Sequence, residues 1–340
     1  LFLSAFNGYL VNSFYFKNKV KNNTWYIYGS KIDQEFIFNF LGKSDKRSNY
    51  IFKLYDKKSF DMNFKNNSII IKNFNSLPEL DKLKIKNLIN KKIKVLSLTE
   101  WVEIYMNRIP IEIMEFDKTI NHRFFSNIKA NSFQLIIKRS LDILFSSFLL
   151  LISSPIIIIS ILIIWFQDFE KVLYDQKRTG LGGKEIKIYK LRTMQINSEQ
   201  EGLSWALKDD PRITKFGKFL RKSRIDELPQ LFNVIKGDMT LIGPRPERPE
   251  IDKKLIEIIP NYFNRYSIKP GLSGWAQVNY NYAANIEEVK NKLSYDLFYI
   301  KNYSILLDLL IFLKTIRLVI NLQGSETKKK THKNFRVKLK

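Results

Sequence analysis

The 340-residue sequence contains no cysteine, and its only two histidines are His122 and His332. Without cysteine the chain can form no disulfide, no cysteine-ligated zinc site and no thiol nucleophile. Two histidines are too few for a histidine-rich metal site, and they argue against a catalytic triad built on histidine. Phosphoryl chemistry with carboxylates, arginines and a hard metal ion remains open, and so does simple binding.

Acidic residues are also scarce: 33 Asp and Glu stand against 57 Lys and Arg, for a formal net charge of +24. Such an excess indicates an anionic partner, whether nucleic acid, a membrane surface or a phosphorylated substrate. Lys, Asn and Ile recur throughout the chain, so part of the positive charge reflects this general composition rather than a ligand. Charge alone therefore does not choose between these partners. Because no nucleic-acid-binding motif is recognisable, we expect no nucleic-acid partner.

One stretch lacks charge altogether, about 24 residues from Ile143 to Phe166, or roughly 36 Å as a helix. This length suits a bilayer, whereas the alternative, a buried core helix, is seldom apolar on every side for six turns. Pro155 removes a backbone hydrogen bond near the centre, and the neighbouring Ser154 can satisfy the freed carbonyl. We predict a re-entrant membrane hairpin over residues 135–168, broken at Ser154 and Pro155.

Charged residues border this stretch on both sides. Lys138 and Arg139 precede it, and Lys171 follows it. Because the positive-inside rule then gives no orientation for a single crossing, these flanks favour a hairpin that enters and leaves by the cytoplasmic face. Asp142 lies one turn after Arg139, and we expect either an ion pair between them or an unpaired interfacial aspartate.

The residues before the apolar stretch have the pattern of a small α/β domain. A helix is predicted over residues 34–42, and strands over 24–30, 49–56, 67–74 and 91–98. We expect a Rossmann-like accessory module over 24–106 and a linker over 107–134. Its first turn, "GSKID", lacks the G-x-G-x-x-G fingerprint, so a structural or regulatory role is favoured over dinucleotide binding.

The segment after the apolar stretch, residues 169–322, carries the candidate catalytic domain. In "TGLGGKEIKIYKLRTM" an alternating strand follows a glycine-containing turn. Lys190 and Arg192 would lie on the same side of this strand if it is extended. Two converging cations suit a phosphate, whereas the alternative is a solvated strand face.

Two adjacent carboxylates, Asp226 and Glu227, lie in "RIDELPQLFNVIKG" near a predicted helix start, where the helix dipole favours their ionised form. Arg221 precedes them in a basic helix, and Pro229 is tolerated in the first turn of the next helix. Arg245 follows in "GPRPERP", enclosed by two prolines. By itself Asp-Glu is a common solvated dipeptide, so a catalytic role must be argued from the surrounding motifs.

Ordered segments from about Lys138 to Val319, roughly half of the chain, resemble the bacterial sugar transferases, or monotopic phosphoglycosyl transferases. They read "KRSLDI", the apolar stretch with "SSP", "DQKRTGLGGKEIKIYKLRTM", "DDPRITKFGKFLR", "RIDELPQLFNVIKGDMTLIGPRP", "KPGLSGWAQVNY" and "YDLFYIKNYSILLDLLIFLKTI". Longer members carry an α/β module after transmembrane helices. We therefore interpret residues 1–23 as a truncated juxtamembrane segment of a longer chain.

The resemblance implies transfer of a sugar 1-phosphate from a nucleotide diphosphate sugar, usually UDP-linked, to polyprenyl (undecaprenyl) phosphate. UMP is released and Mg²⁺ is required. Asp226 matches the family nucleophile, which forms an aspartyl phosphosugar, and it is also the expected metal ligand. Glu227 matches its partner, and we assign it to orienting Asp226 or the metal ion.

Further residues are expected to bind the substrates, and they are Lys190, Arg192, Arg212, Arg221, Arg245, Trp275 and Gln277. Arg245 would clamp the diphosphate, and Arg192 and Arg221 would neutralise charge that develops during transfer. For Trp275 and Gln277, uridine contacts or loop scaffolding compete with plain packing. Many members have an arginine directly after the equivalent of Asn279, where this chain has a tyrosine, so a phosphate contact from that position is in doubt.

The predicted fold class is α/β: a Rossmann-like module, a re-entrant helix-break-helix, and a mostly helical α+β catalytic domain with amphipathic interfacial helices. Residues 304–320 would lie on the bilayer, with a soluble amphipathic helix as the alternative, and the basic tail 323–340 would contact anionic lipid. Expected partners are a UDP-sugar, undecaprenyl phosphate and anionic inner-leaflet lipid, with a homodimer as a further option. The expected place is the bacterial inner membrane, with the catalytic domain facing the cytoplasm. The expected role is the first membrane step of exopolysaccharide, capsule or O-antigen assembly. The alternative is a non-catalytic, membrane-anchored scaffold that senses a nucleotide.

Overall fold

The computed structural model describes residues 24–44, 50–55, 68–114, 132–195, 210–280 and 285–321. These residues form two compact units, which divide between Ile113 and Met114. The predicted N-terminal segment 1–23, the basic tail 323–340 and part of the predicted linker lie outside the described residues, so these interpretations stay predictions.

The first unit is a fully parallel four-stranded sheet with helices on both faces. Its strands are β1 (Thr24–Tyr28), β2 (Ile51–Leu54), β3 (Ser68–Ile71) and β4 (Lys94–Ser97), in the order β2-β1-β3-β4. Its helices are α1 (Lys31–Ser44), α2 (Glu79–Asn90), α3 (Leu98–Met106) and α4 (Ile111–Met114). The four predicted strands are confirmed, and the predicted helix extends past its glycine to Ser44.

Alternation of buried side chains along the strands explains the two helical layers. Trp25 and Ile27 of β1 pack with α1 and α3, where Trp101 is fully buried. Tyr28 of β1 and Ile69 of β3 pack with α2 on the opposite face. Because successive side chains of a strand point to opposite faces, one apolar strand supplies two cores. A sheet covered on both faces is the arrangement expected of a parallel sheet.

The turn between β1 and α1 bears on the dinucleotide alternative. Gly29 has φ +148°, which suits the glycine turn predicted there. The Asp33 carboxylate lies in the first turn of α1, where it accepts from Ser30 Oγ at 2.8 Å and pairs with Lys72 at 2.9 Å. A dinucleotide-binding fold would present this helix end to a pyrophosphate. Here the protein's own Asp33 carboxylate lies at this helix end, and the role of the unit stays a prediction.

The second unit begins with one long apolar helix, α5 (Ser132–Asp168), which is long and apolar enough to cross a membrane and is largely exposed. The predicted break is wrong as a break in secondary structure, since the helix is continuous through Pro155. Ser154 Oγ donates to the Leu151 carbonyl at 2.7 Å, which is the carbonyl that Pro155 cannot satisfy. Ser153 Oγ bonds the Leu149 carbonyl in the same way. The Ser154 hydroxyl therefore satisfies the carbonyl that Pro155 leaves free, and the helix continues where a break was predicted.

The first turns of α5 hold the rest of the unit through polar contacts. Arg139 donates to the carbonyls of Val234 and Ile235 at 2.6 and 2.7 Å. The buried Asp142 accepts from Thr240 Oγ1 at 2.6 Å and from the Leu241 amide at 3.1 Å. The expected pair of Asp142 with Arg139 is therefore wrong, and so is the unpaired alternative, because both side chains have partners on neighbouring elements.

The remaining elements of this unit are short and surround two small sheets. The antiparallel hairpin of β5 (Leu173–Thr179) and β6 (Glu185–Leu191) is followed by α6 (Lys215–Ser223) and α7 (Gln230–Lys236). Strand β7 (Thr240–Ile242) pairs in parallel with β8 (Gly271–Ser273), and α8 (Pro249–Ile258) lies between them in the chain. Helices α9 (Trp275–Asn279), α10 (Ile286–Lys301) and α11 (Ile305–Ile320) complete the described part.

Helix α11 matches the apolar stretch that is predicted to lie on a bilayer. Leu307 and Ile311 are buried against the unit, whereas Leu306 and Leu309 are exposed. The charged Asp308 turns inward and pairs with Lys138 of α5 at 2.7 Å. The helix is therefore amphipathic, and its placement on a bilayer stays a prediction.

Candidate active site

The acidic pair lies in a tight turn between two helices. Arg224 ends α6 with the left-handed conformation φ +61°. The chain then forms a 3-10 turn, Ile225–Glu227, and Pro229 precedes the first residue of α7. The pair was predicted in the first turn of the helix that contains Pro229, but it lies in this separate 3-10 turn, before the first residue of α7. Because neighbouring residues of such a turn point in different directions, Asp226 and Glu227 can meet different surroundings.

Glu227 lies in a pocket of cations. Its Oε1 is 2.5 Å from Arg245 Nη2, 3.3 Å from Lys190 Nζ and 3.6 Å from Arg224 Nη1, and its Oε2 is 3.2 Å from Arg245 Nη1. Burial alone would raise the pKa of Glu227, but Arg245 and then Lys190 hold it well below its usual range. The carboxylate is therefore ionised and neutralised by the protein itself.

Asp226 has the opposite environment. It is 7 % exposed, and its Oδ1 is buried without a hydrogen-bond partner among the described residues. Burial, and next the neighbouring Glu227, raise the pKa of Asp226 to about 6. A buried carboxylate without a bonded cation is a poorly solvated anion, which is the condition of a reactive nucleophile rather than of a structural ion pair.

Hydrogen bonds fix the loop that carries Arg245. The carbonyls of Pro244 and Glu247 accept from the amides of Gly271 and Thr179, both at 2.9 Å. At Gly271, an added Cβ would lie 2.1 Å from the Gly243 nitrogen, so only glycine permits this approach of the two segments. The fixed φ of each proline adds rigidity. The loop therefore presents the Arg245 side chain to Glu227 from a stiff backbone.

Of the predicted cations, Lys190 and Arg245 meet at Glu227, and Arg221 lies close enough to lower the pKa of Asp226. Arg221 Nε also donates to Thr193 Oγ1 at 2.8 Å. Arg192 is placed differently, because β6 ends at Leu191 and the side chain turns to α5, where it pairs with Asp168. The strand therefore ends before Arg192, and Lys190 and Arg192 do not converge on one site as expected.

The guanidinium of Arg212 makes a double contact with Asp210, at 2.9 and 2.7 Å. Two cations of the site were not among the residues predicted from the sequence. Arg224 contacts Glu227, and the partly buried Arg178 lies near both Arg245 and Glu227. The position of Arg224 two residues before Asp226 could have indicated it, whereas Arg178 becomes a neighbour only through the packing of β5 on the Arg245 loop.

Trp275 is buried by packing, and Gln277 bonds the backbone near its own helix. Trp275 is 1 % exposed, its ring stacks on Phe298 with centroids 6.0 Å apart, and Lys314 Nζ lies 4.4 Å from its ring centroid. Gln277 Nε2 donates to the Leu272 carbonyl at 3.3 Å. Packing of this kind occupies the tryptophan ring, so stacking on a uridine base would need another conformation.

A magnesium ion has one suitable ligand at this site. The described residues contain no group of three or more acidic, histidine or cysteine side chains that could enclose a metal ion. Mg²⁺ is commonly held by one or two carboxylates, water and substrate phosphates. The buried Asp226 Oδ1, without a partner among the described residues, fits one such ligand. The Glu227 oxygens are already occupied by cations.

Comparison with known proteins covers the same part of the chain. The family model described as "Bacterial sugar transferase" matches residues 133–322. An Aeromonas hydrophila protein, "UDP-N-acetylgalactosamine-undecaprenyl-phosphate N-acetylgalactosaminephosphotransferase", is 45% identical over 184 residues, which are 54% of this chain and 44% of that protein. "UDP-glucose:undecaprenyl-phosphate glucose-1-phosphate transferase" of Klebsiella pneumoniae is 38% identical over 194 residues, 56% of this chain and 42% of that protein. The Escherichia coli (strain K12) protein of the same name is 34% identical over 183 residues, 53% of this chain and 39% of that protein. The match therefore spans less than half the length of these relatives.

Proposed function

Because the chain belongs to the bacterial sugar transferase family, we propose that its second unit transfers a sugar 1-phosphate from a UDP-sugar to undecaprenyl phosphate. The names of the relatives support this reaction and include both N-acetylgalactosamine and glucose donors, so the sugar stays open. The observation that carries the proposal is the asymmetry of the pair: Glu227 is neutralised by cations, and the buried Asp226 Oδ1 has no partner among the described residues.

This asymmetry assigns different roles to the two carboxylates. Asp226 attacks the sugar-bearing phosphorus, the bond from that phosphorus to the bridging oxygen breaks, and UMP leaves with that oxygen. An oxygen of the lipid phosphate then attacks the same phosphorus and releases Asp226. Glu227 orients the site by holding Lys190 and Arg245 in place, and their positive charge also faces the developing charge on the phosphates.

The proposal includes Mg²⁺ as the cofactor, with Asp226 as the protein ligand. Bound beside the donor diphosphate, the ion would supply Lewis-acid stabilisation of phosphate charge. The chain provides few carboxylates for it, so its other ligands would be substrate oxygens and water.

The reaction is tested directly by following UMP release from a panel of UDP-sugars with membranes that contain the protein and added undecaprenyl phosphate. We expect one donor to give UMP together with a lipid-linked sugar diphosphate. A protein that binds the donor yet releases no UMP with any sugar would instead support the nucleotide-sensing scaffold.

Activity should depend on pH through Asp226. A carboxylate must be ionised to attack phosphorus, and the pKa of Asp226 is raised to about 6. We therefore expect kcat/KM, which reports the enzyme before the donor and Mg²⁺ bind, to fall tenfold per pH unit below about pH 6 and to level off above about pH 7. Lys190 lowers the pKa of Asp226, so Lys190→Met should move this acid limb to higher pH. An unchanged limb in that variant would contradict the assignment.

Contacts at both ends of α5 support a re-entrant anchor at the cytoplasmic face of the inner membrane. Lys138 near its start pairs with Asp308, and Asp168 at its end pairs with Arg192, both within the same polar unit. A helix that crossed the bilayer would place these ends on opposite sides, roughly 30 Å of hydrocarbon apart. The proposal therefore requires the continuous helix to bend at Pro155 within the bilayer. In the proposed arrangement the acidic pair would lie beside the membrane, within reach of a soluble donor and of a lipid phosphate.

The anchor is tested by single-cysteine labelling, for which the cysteine-free chain is suited. Ala130→Cys and Lys171→Cys should both react with a membrane-impermeant maleimide in inverted inner-membrane vesicles, and neither should react in intact spheroplasts. Detergent-solubilised samples control for intrinsic reactivity. Labelling of the two positions from opposite sides would show a single crossing.

A further inference from the structure

A buried ionic cluster lies behind the loop that carries Arg245 and has no part in the proposed chemistry. Its centre is Arg265, which is 3 % exposed and lies in the 3-10 turn Tyr262–Tyr266. Two buried carboxylates accompany it, Asp252 from α8 and Asp296 from α10. Three separate elements therefore converge on one guanidinium.

The contacts of Arg265 link this cluster to the site. Its Nη2 donates to the Arg245 carbonyl at 2.7 Å and to Asp296 Oδ2 at 3.1 Å. Its Nη1 donates to the Tyr262 hydroxyl at 2.6 Å, and that hydroxyl donates to Asp252 Oδ1 at 2.9 Å. The cluster therefore contacts the backbone of Arg245, and the side chain of Arg245 binds Glu227.

Arg265 belongs to a series of four such bonds along the loop. The carbonyl of Pro246 accepts from Arg178 at 3.2 Å, and backbone amides serve the carbonyls of Pro244 and Glu247. Four consecutive carbonyls, of residues 244–247, each accept one hydrogen bond. The carbonyls of Arg245 and Pro246 both accept from a distant arginine, and the arginine that serves Arg245 is buried between two carboxylates, Asp252 and Asp296.

Stability alone does not account for this cluster. Buried ion pairs lose hydration that their mutual attraction barely offsets, and apolar residues of similar volume often replace them without loss. An apolar side chain could fill the same space but could not hold a carbonyl in one orientation. What Arg265 supplies beyond packing is the direction of the Arg245 backbone.

We propose that Arg265 is a positioning residue: by fixing the Arg245 carbonyl, it sets the orientation in which the Arg245 guanidinium holds Glu227 and receives the donor diphosphate. The part of this inference that concerns the donor diphosphate rests on the proposed function. It makes the cluster of Arg265, Asp252 and Asp296 a rigid support for one phosphate-binding arginine.

A double-mutant cycle tests it on the full-length protein in membranes. Arg265→Lys keeps the charge, but one ammonium cannot reproduce the fixed fork that serves the Arg245 carbonyl, Asp296 and Tyr262 together. We expect it to reduce kcat/KM for UMP release about 10- to 100-fold, chiefly through KM. In an Arg245→Ala background the same substitution should change kcat/KM by less than about threefold, because its effect passes through Arg245. Arg317→Lys, an exposed substitution of the same kind on α11, is the matched control.

A purely structural role predicts another result. In that case Arg265→Lys lowers activity by the same factor in both backgrounds, and this outcome, or no loss in the wild-type background, overturns the proposal. If Arg265→Lys does not fold, Tyr262→Phe decides, because it removes the hydroxyl that accepts from Arg265 and keeps the ring. Its loss should be smaller and should again disappear in the Arg245→Ala background.

Calorimetry measures the affinity for UDP of the wild type, the two single variants and the double variant of the same cycle. This second measurement separates the inference from the proposed function. A wild-type protein that neither binds UDP nor releases UMP refutes the proposed function. A wild-type protein that is active, together with additive effects of the two substitutions, refutes the positioning role alone.

Discussion

Replacing the nucleophile, Asp226→Asn, should abolish UMP release, with a fall in kcat on the order of 10⁴-fold or more. The amide keeps the size of the side chain but cannot form the acyl phosphate, so no aspartyl phosphosugar forms. Intact-protein mass spectrometry of wild-type protein, quenched during turnover without lipid acceptor, should show an added sugar phosphate, and the variant should show none. The substitution removes a poorly solvated charge, so we expect the folded variant to be at least as stable as the wild type at pH 7.

Asp175→Asn is the matched control, because Asp175 is a half-exposed partner of Lys187 on the β5–β6 hairpin. It should retain activity within about twofold, since exposed ion pairs contribute little. An adduct on Asp226→Asn protein, or transfer that continues without the Asp226 carboxylate, would remove the basis of the proposed mechanism.

Glu227→Gln should cost both stability and activity. The substitution leaves Lys190, Arg224 and Arg245 without the carboxylate that they share. Removing one partner of a buried ion pair typically lowers the free energy of unfolding by about 3–5 kcal/mol. We also expect kcat/KM to fall by about 10²- to 10³-fold, because the cations lose their fixed positions. Thermal unfolding in detergent and UMP release measure the two effects.

The stability effect of Glu227→Gln has a defined pH dependence. Since the folded-state pKa of Glu227 is lowered, its ionised form stabilises the protein above the unfolded-state value of about 4.3. The stability difference between wild type and variant should therefore be full at neutral pH and shrink as the pH falls through the folded-state pKa. Glu185→Gln, at an exposed pair with Lys177, should change stability by less than about 1 kcal/mol at any pH. A difference independent of pH would contradict the cation pocket.

Removing Glu227 also changes the acid limb of the activity profile. Glu227 raises the pKa of Asp226, and without it the surrounding cations act on Asp226 alone. The limb of residual activity should then move to lower pH, in the direction opposite to that expected for Lys190→Met. Shifts of opposite sign from two neighbouring substitutions would identify Asp226 as the group that titrates.

Local pattern was sufficient for several elements and insufficient for others. The strands of the first unit and the apolar helix were predictable, because alternation and long apolar runs are properties of neighbouring residues. The break at Pro155 was predicted wrongly, since the Ser154 hydroxyl satisfies the Leu151 carbonyl and the helix continues. The predicted ion pair of Asp142 with Arg139 is wrong because residues 95 and 98 positions away in the chain bind these two side chains instead.

The sequence by itself determined the family, the apolar anchor and the position of the acidic pair, since each of these is a run or an ordered set of residues along the chain. Only the tertiary structure decided which carboxylate is neutralised. The cations that do so come from β6, the end of α6 and a proline-flanked loop. Electrostatic environment is a sum over neighbours in space, and two residues adjacent in the chain can therefore have pKa values that move in opposite directions.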